Sequence, residues 1–551
     1  MRSRLTLVTL SAVSLLLFTK SASAQSQTPA GTADSTQQKT PVIHVTTRLL
    51  QVSVIVQDKE GAPMTGLRKE DFRVLDGGKP QEIAFFSATA PGHAPAHPLP
   101  ASVFTNRSDL KGEDPGATIV LLFDCLNTSF EDQGYARWNV LHFLKSVKPQ
   151  DHVAIFALTT ELISLHDFTQ DTAALASSVN RFSPRLLAAF DASNPKVFQV
   201  PGLDNDPFFK SFEDHVDNAN GKIADWAVVD RFRITSAAFV ALADYVANIP
   251  GRKSLVWISD GIPIQLGAGR IGVPDRDDFR FDNPNVPSAA GAGDMSVLAR
   301  VLNRVNMAIY PIDAHGIEAG AFIGFFTRQD RRDTFRLLAD RTGGRAFYGT
   351  NDIAGAINSA FEDGRYTYTI GFYPNHGVWN GEFREIKISV PAEDAHLRYR
   401  QGYFAFPERS EGAAIMRTAL QEAARSPLDA TGLGVSVKGQ TVPPASAHLV
   451  KLQVTLDPKQ FLLRDEGNQN RESMDLLFLQ KDSSGQFLFV KKQHLDVSFD
   501  RKEYSLVAEN GLTLQQRLII DPASAELRVL VRDAGSGALG SVTIPVKELL
   551  K

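Results

Sequence analysis

The chain has 551 residues, 43% of them hydrophobic, with 58 basic and 62 acidic side chains and a formal net charge of −4. That length allows several domains, each with its own core, and the balanced charge gives no footing for nucleic acid or an anionic membrane surface. A single cysteine, Cys125, excludes an internal disulfide framework.

Taken in chain order, residues 1–24 read as a processing signal. Arg2 and Arg4 precede a mostly apolar run, Leu5–Phe18, and Ala22-Ser-Ala24 offers a small-residue cleavage site. The apolar run is too short for a bilayer, and no later run reaches about 18 apolar residues. The mature protein is therefore expected in the periplasm, at the cell surface or outside the cell, with no stable membrane insertion after cleavage. Residues 25–40, rich in Ser, Thr, Gln and Ala, read as a disordered tether. Residues 41–89 alternate as strands do, with turn signals at Glu60-Gly61 and Asp76-Gly77-Gly78, and predict a small all-β module. Residues 90–115, which include the Pro/Ala/His-rich Ala90–Pro100, read as a linker.

From 116 to 364 strands alternate with helices. Strands are expected at 118–124, 152–158, 162–167, 254–259, 308–313 and 345–348. Helices are expected near 132–147, 172–181, 223–248, 295–306, 330–342 and 353–362. This order predicts a doubly wound α/β domain with right-handed crossovers. Two loop-rich stretches, Ser183–Gly221 and Ile262–Gly293, interrupt it, and the second is expected to overhang the end of the sheet. Residues 365–407 return to strands that extend the preceding sheet or pack beside it, and they read as a β extension of the α/β domain. A helix and linker over 408–430 lead to a β-sandwich at 431–551, where short strands alternate with turns.

Two apolar runs end on aspartate: Thr118–Asp124 (TIVLLFD), and the segment Lys253–Gly261 (KSLVWISDG). Apolar runs of this length read as strands buried on both faces. In an open parallel sheet, ligands gather at the carboxyl ends of strands where the strand order reverses. If the two strands are neighbours, Asp124 and Asp260 converge there, with Asn127, Thr128 and Ser129 beside them. Converging hard oxygens suit a divalent cation whose coordination a partner's carboxylate can complete.

The pattern strand–Asp–hydroxyl cluster, helix, paired strands, then strand–Ser–Asp–Gly resembles the von Willebrand factor A domain. The phrases DCLNTS, PGRKSLVWISDG, MAIYPIDAHG, LADRTGGRAFY and RYTYTIGFYP carry the match over roughly 116–364. An exported chain with a short β module before such a domain is similar to the exported von Willebrand factor A-related proteins of acidobacteria. The resemblance implies a metal-ion-dependent adhesion site built from an Asp-x-Ser-x-Ser loop, a Thr and an Asp-Gly. Carried over residue by residue, it assigns Asp124, Thr128 and Asp260 as metal ligands, with Asn127 and Thr235 as further candidates. Ser129 and Gly261 would then face the bound partner. The implied ion is Mg²⁺, or Mn²⁺ or Ca²⁺ in its place. This chain departs from the pattern at Leu126, which stands where the first hydroxyl belongs, and an arginine nearby offers a metal-free ion-pair version of the site.

The leading expectation is a non-enzymatic binding or adhesion protein for a protein or cell-envelope ligand. One alternative is a structural scaffold with an inactive site. The other is an envelope hydrolase using Asp313, His315 and either Ser129 or Ser259, although no Gly-x-Ser-x-Gly elbow is present to expose a serine.

Overall fold

In a computed structural model of the chain, the described residues are 49–89, 103–107, 117–148, 151–183, 207–249, 251–262, 292–317, 325–376, 378–380, 382–392, 394–405, 420–443, 448–461, 464–465 and 469–550. The expected signal, the tether, Ala90–Pro100, and almost all of Ile262–Gly293 lie outside them. So does the first part of the helix expected after residue 408. No helix among the described residues is long and apolar enough to cross a membrane.

The centre of the molecule is a five-stranded sheet in the order Met307–Asp313, Lys253–Ser259, Thr118–Asp124, His152–Leu158, Leu162–Thr169. The first four strands run parallel and the last is antiparallel. Every residue of Thr118–Asp124 and of Lys253–Ser259 is buried, as strands covered by helices on both faces require. Side chains alternate between faces with period two. Val120 and Leu122 pack with Phe232, Phe239 and Leu242, whereas Ile119, Leu121 and Phe123 pack with Ala136, Val140 and Phe143. Each such aliphatic or aromatic side chain contributes about 1.5–3 kcal/mol on burial, so the two faces anchor this sheet independently.

The helices differ from expectation mainly at their ends. The one after the first strand runs Phe130–Phe143, starting where Ser129 caps it by accepting from the Asp132 amide. The long helix runs Pro207–Tyr245, so the latter part of the expected Ser183–Gly221 loop is helical. Pro207 opens it, at the position where proline's missing N–H costs nothing, and Gly221 is carried inside it. The strand expected at 345–348 reduces to one parallel bridge between Phe347 and Ile312.

The flanking β regions are corrected in two respects. Thr367–Phe372 does not extend the central sheet; it lies between Leu50–Gln57 and Ile83–Thr89, antiparallel to both. Phe383–Ser389 likewise pairs with Arg73–Asp76. Strands from before and after the α/β domain thus build one sandwich around Val52, Val54, Val56, Phe72, Val74, Tyr368, Ile370 and Phe372. The linker expected over 90–115 also contributes a strand. Val103–Thr105 pairs with Val435–Thr441 in a second sandwich. There the Asn106 side chain donates to the carbonyls of Ala430 and Leu433 and accepts from the Val435 amide. The second sandwich faces a sheet of Val103–Thr105, Val435–Thr441, Leu449–Leu456 and Leu512–Ile519 against one containing Gln469–Lys481, Phe487–Asp500, Glu526–Asp533 and Leu539–Pro545.

Polar contacts tie both sandwiches to the α/β domain. Arg398 of the first sandwich pairs with the buried Asp363, and Ser53 donates to Asn306 at 2.9 Å. Toward the second sandwich, the Thr431 amide donates to the Asp244 carbonyl and the Asn248 amide donates to the Thr431 hydroxyl.

Candidate functional site

The adjacent strands Thr118–Asp124 and Lys253–Ser259 end at the same edge of the sheet, so the loops that follow them meet. The Ser129 amide donates to Asp260 Oδ2 at 2.8 Å, and the Asp260 amide donates to Thr128 Oγ1 at 3.3 Å. The predicted set Asp124, Asn127, Thr128, Ser129, Asp260 and Gly261 is therefore gathered in one place. Thr235, on the long helix, joins it through Asn127 Nδ2, which donates to its hydroxyl at 2.8 Å.

Asp124 is committed to its own surroundings. Its Oδ2 accepts from Asn127 Nδ2 and Trp257 Nε1, both at 2.7 Å, and from Ser259 Oγ at 2.9 Å. Its Oδ1 accepts from the Asn127 amide at 3.0 Å. Burial raises its pKa, and these hydrogen bonds act in the opposite direction. Thr235 is engaged as well, donating to the Arg231 carbonyl at 2.9 Å. Leu126, at the position of the missing hydroxyl, is fully buried in the core beside Trp257, Phe239 and Ile262. Arg231 is also buried, and its charge acts on both Asp124 and Asp260. Its guanidinium pKa is lowered to about 10, by burial above all. An oxygen cage for Mg²⁺ fits this first loop poorly. The Asp124 carboxylate already serves four donors, a leucine replaces a ligand, and a buried cation stands nearby.

Asp260 is different. Only Oδ2 is engaged, by the Ser129 amide, while Oδ1 is buried with no hydrogen-bond partner. Buried carboxylates are ordinarily fully bonded. Its pKa is raised to about 8, first by burial and then by the neighbouring Asp132; the Ser129 amide, Arg331 and His315 pull the other way. Gly261 follows at φ 82°, and a Cβ built there would come within 3.0 Å of the Phe335 ring, so glycine is required by conformation and by space.

Residue-by-residue reading missed Asp132. It lies in the first turn of the helix that Ser129 caps, and its Oδ2 accepts from Ser129 Oγ at 2.6 Å and faces His315 Nδ1 at 2.7 Å. His315 was paired in expectation with Asp313. In the structure Asp313 Oδ1 accepts the His315 backbone amide, and the imidazole goes to Asp132. The available signal was the Ser129-x-x-Asp132 spacing, which aligns a capping serine with a first-turn acid. Ser259, the other candidate nucleophile, donates to Asp124 and accepts from the Gly261 amide.

No protein-family model and no curated protein matches the chain. Solved structures do. The vWF domain of the type V pili tip protein Mfa5 from Porphyromonas gingivalis is 13% identical and covers 45% of this chain and 95% of its own, at a TM-score of 0.26. Proximal thread matrix protein 1 from the mussel byssus, with a zinc-occupied MIDAS motif, is 9% identical over 46% of this chain and 47% of its own, at 0.25. The pilus adhesin SpaC from Lactobacillus rhamnosus GG is 8% identical over 79% of this chain and 54% of its own, at 0.27. TM-scores this low carry no inference about function.

Proposed function

We propose that this chain is an exported, non-enzymatic binding protein of the von Willebrand factor A type. In this reading it captures a protein or cell-envelope ligand at the carboxyl edge of its central sheet. The observation that carries the reading is Asp260: a carboxylate at the junction of two loops, fixed on one oxygen and left without a partner on the other. A buried acceptor without a donor is costly unless something supplies one, and a ligand group or cation is the natural supplier. Arg231 stands close enough to act on Asp124 and Asp260, which favours an ion-pair core over Mg²⁺ at Asp124.

The hydrolase alternative finds less support. Ser129 and His315 both address Asp132 Oδ2, so the serine proton is directed to the acid and not to the imidazole that a relay needs.

The test is to pan a random peptide display library on the immobilised mature chain and counter-select on an Asp260→Ala variant. Peptides that hold the wild type and release the variant support the reading, with enrichment of Asp and Glu expected if a cation takes part. Peptides that bind both proteins alike, or no enrichment at all, leave the scaffold reading in its place.

A further inference from the structure

Three groups able to ligate a metal meet beside the Asp124 loop. One oxygen of Asp132, one of Asp260 and a ring nitrogen of His315 lie within 4.8 Å of one another. We propose that this trio is a transition-metal site, filled by Zn²⁺ in preference to Mg²⁺, with one coordination position left open toward solvent. The proposal rests on the binding reading above only for what that open position does: it would take a carboxylate of the ligand.

Each donor comes from a different element. Asp132 is in the first turn of Phe130–Phe143, Asp260 follows Lys253–Ser259, and His315 follows Met307–Asp313. Sequence neighbours on one exposed loop would make an acidic cluster of little meaning; here the parallel sheet brings the three together. The independent sign of a missing partner is again Asp260, which is 4% exposed and has an unbonded Oδ1.

The donor set selects the ion. Mg²⁺ asks for six oxygens in near-octahedral array, and Ca²⁺ for six to eight. One imidazole and two carboxylates instead match a three-ligand zinc site, whose fourth position stays open for water or a ligand. His315 Nδ1 and Asp132 Oδ2 are now 2.7 Å apart. Both can bind one tetrahedral zinc if that separation widens to about 3.3 Å, given bonds of about 2.0–2.1 Å. The His315 side chain is 40% exposed, so an ion can enter from its side and the loop can yield. Arg231 and Arg331 place positive charge near Asp260, and the negative charge of Asp132 opposes it.

Ser129 is the positioning residue. Its amide holds Asp260 Oδ2 and its hydroxyl holds Asp132 Oδ2, so one side chain and its own backbone aim two of the three ligands. Outer-shell contacts of this kind commonly set metal affinity within a factor of about 10–100.

The deciding experiment is calorimetric titration of ZnCl₂, and separately MgCl₂, into chelator-treated mature protein in a non-coordinating buffer. The same titrations are made on His315→Ala, Asp132→Asn and Ser129→Ala, with Co²⁺ absorption as a second readout. The expected result is one Zn²⁺ per chain and an intense visible Co²⁺ band of tetrahedral type. Both should weaken at least tenfold in His315→Ala and Asp132→Asn and by a smaller factor in Ser129→Ala, with little response to Mg²⁺. Circular dichroism and melting of His315→Ala verify that it is folded, as the exposure of that residue leads one to expect. Zinc uptake that His315→Ala leaves unchanged, or no uptake by the wild type, overturns the proposal. Comparison with peptide panning separates the two ideas. Asp260-dependent peptide capture without zinc binding keeps the binding reading and removes the metal. Zinc binding with no Asp260-dependent capture keeps the metal and removes the ligand.

Discussion

Leu126 and Trp257 define what the Asp124 loop is at the scale of single residues. By pattern, Leu126 reads as a lost metal ligand that a serine would restore. In the fold it is a fully buried member of the core. Leu126→Ser should therefore create no Mg²⁺ site and should destabilise the protein by about 2–5 kcal/mol, through a cavity and a buried hydroxyl together; urea unfolding and Mg²⁺ calorimetry on the one variant check both halves. Trp257 contributes in two ways. Its ring makes T-shaped contacts with Phe239 and Phe335 while its Nε1 donates to Asp124 Oδ2. Trp257→Phe keeps much of the ring packing and deletes the donor to a buried carboxylate, which should cost about 1.5–3 kcal/mol in the same assay. A loss below about half a kcal/mol would mean that Asp124 does not depend on the indole.

At the scale of elements, the strand Lys253–Ser259 carries a second buried charge at its opening residue. Lys253 is 3% exposed and donates to the Ile249 carbonyl at 2.8 Å, and burial lowers its pKa to about 7 from 10.5. Between those values the unfolded chain holds a proton that the folded one does not, so this lysine's contribution to stability rises with pH from about 7 to about 10.5. Below pH 7 the folded protein carries the full penalty of a buried ammonium. Lys253→Met should therefore be more stable than the wild type at pH 7 and below, with the gap closing toward pH 10; paired melts across that range test it, and a pH-independent gap would refute the assignment. The strand itself was legible because seven consecutive residues are buried and the run is apolar apart from its ends. The register that sets Asp260 beside Ser129 was not, since strand adjacency is a long-range choice. Helix ends were legible within a few residues where a cap marked them, as at Ser129, and poorly where Pro207 opened a helix in a segment rich in Asn, Asp and Gly.

On the scale of the whole molecule, the α/β domain is flanked by β structure whose partners lie far apart in sequence. Leu50–Gln57 supplies Val52, Val54 and Val56 to a core shared with Tyr368, Ile370 and Phe372. A chain beginning at residue 103 would leave Thr367–Phe372 without either neighbouring strand. Such a truncated chain should bind the dye ANS and lose at least one cooperative transition on heating, while the α/β domain keeps its far-ultraviolet helical signal. A single unchanged melt without dye binding would show that the first sandwich does not depend on its amino-terminal strands. Pairings of such high sequence separation close long loops before any contact rewards them, so this sandwich is expected to form late in folding.

Local chemistry is enough to read the alternation of strands and helices, the buried character of the two aspartate-ending strands and, on the condition that these strands are neighbours, the gathering of Asp124 and Asp260 at one sheet edge. Each follows from side-chain period and from where parallel strands end. The tertiary structure alone decided four further matters. It made Leu126 a core residue, it gave Asp124 four donors and left Asp260 one oxygen short, and it brought Asp132 and His315 together from 183 positions apart. It also paired the 50–89 strands with the 367–389 strands in place of the central sheet. The reason is common to all: period and propensity act over a few residues, whereas hydrogen-bond saturation, strand partnership and convergence of ligands depend on which distant segments share a surface.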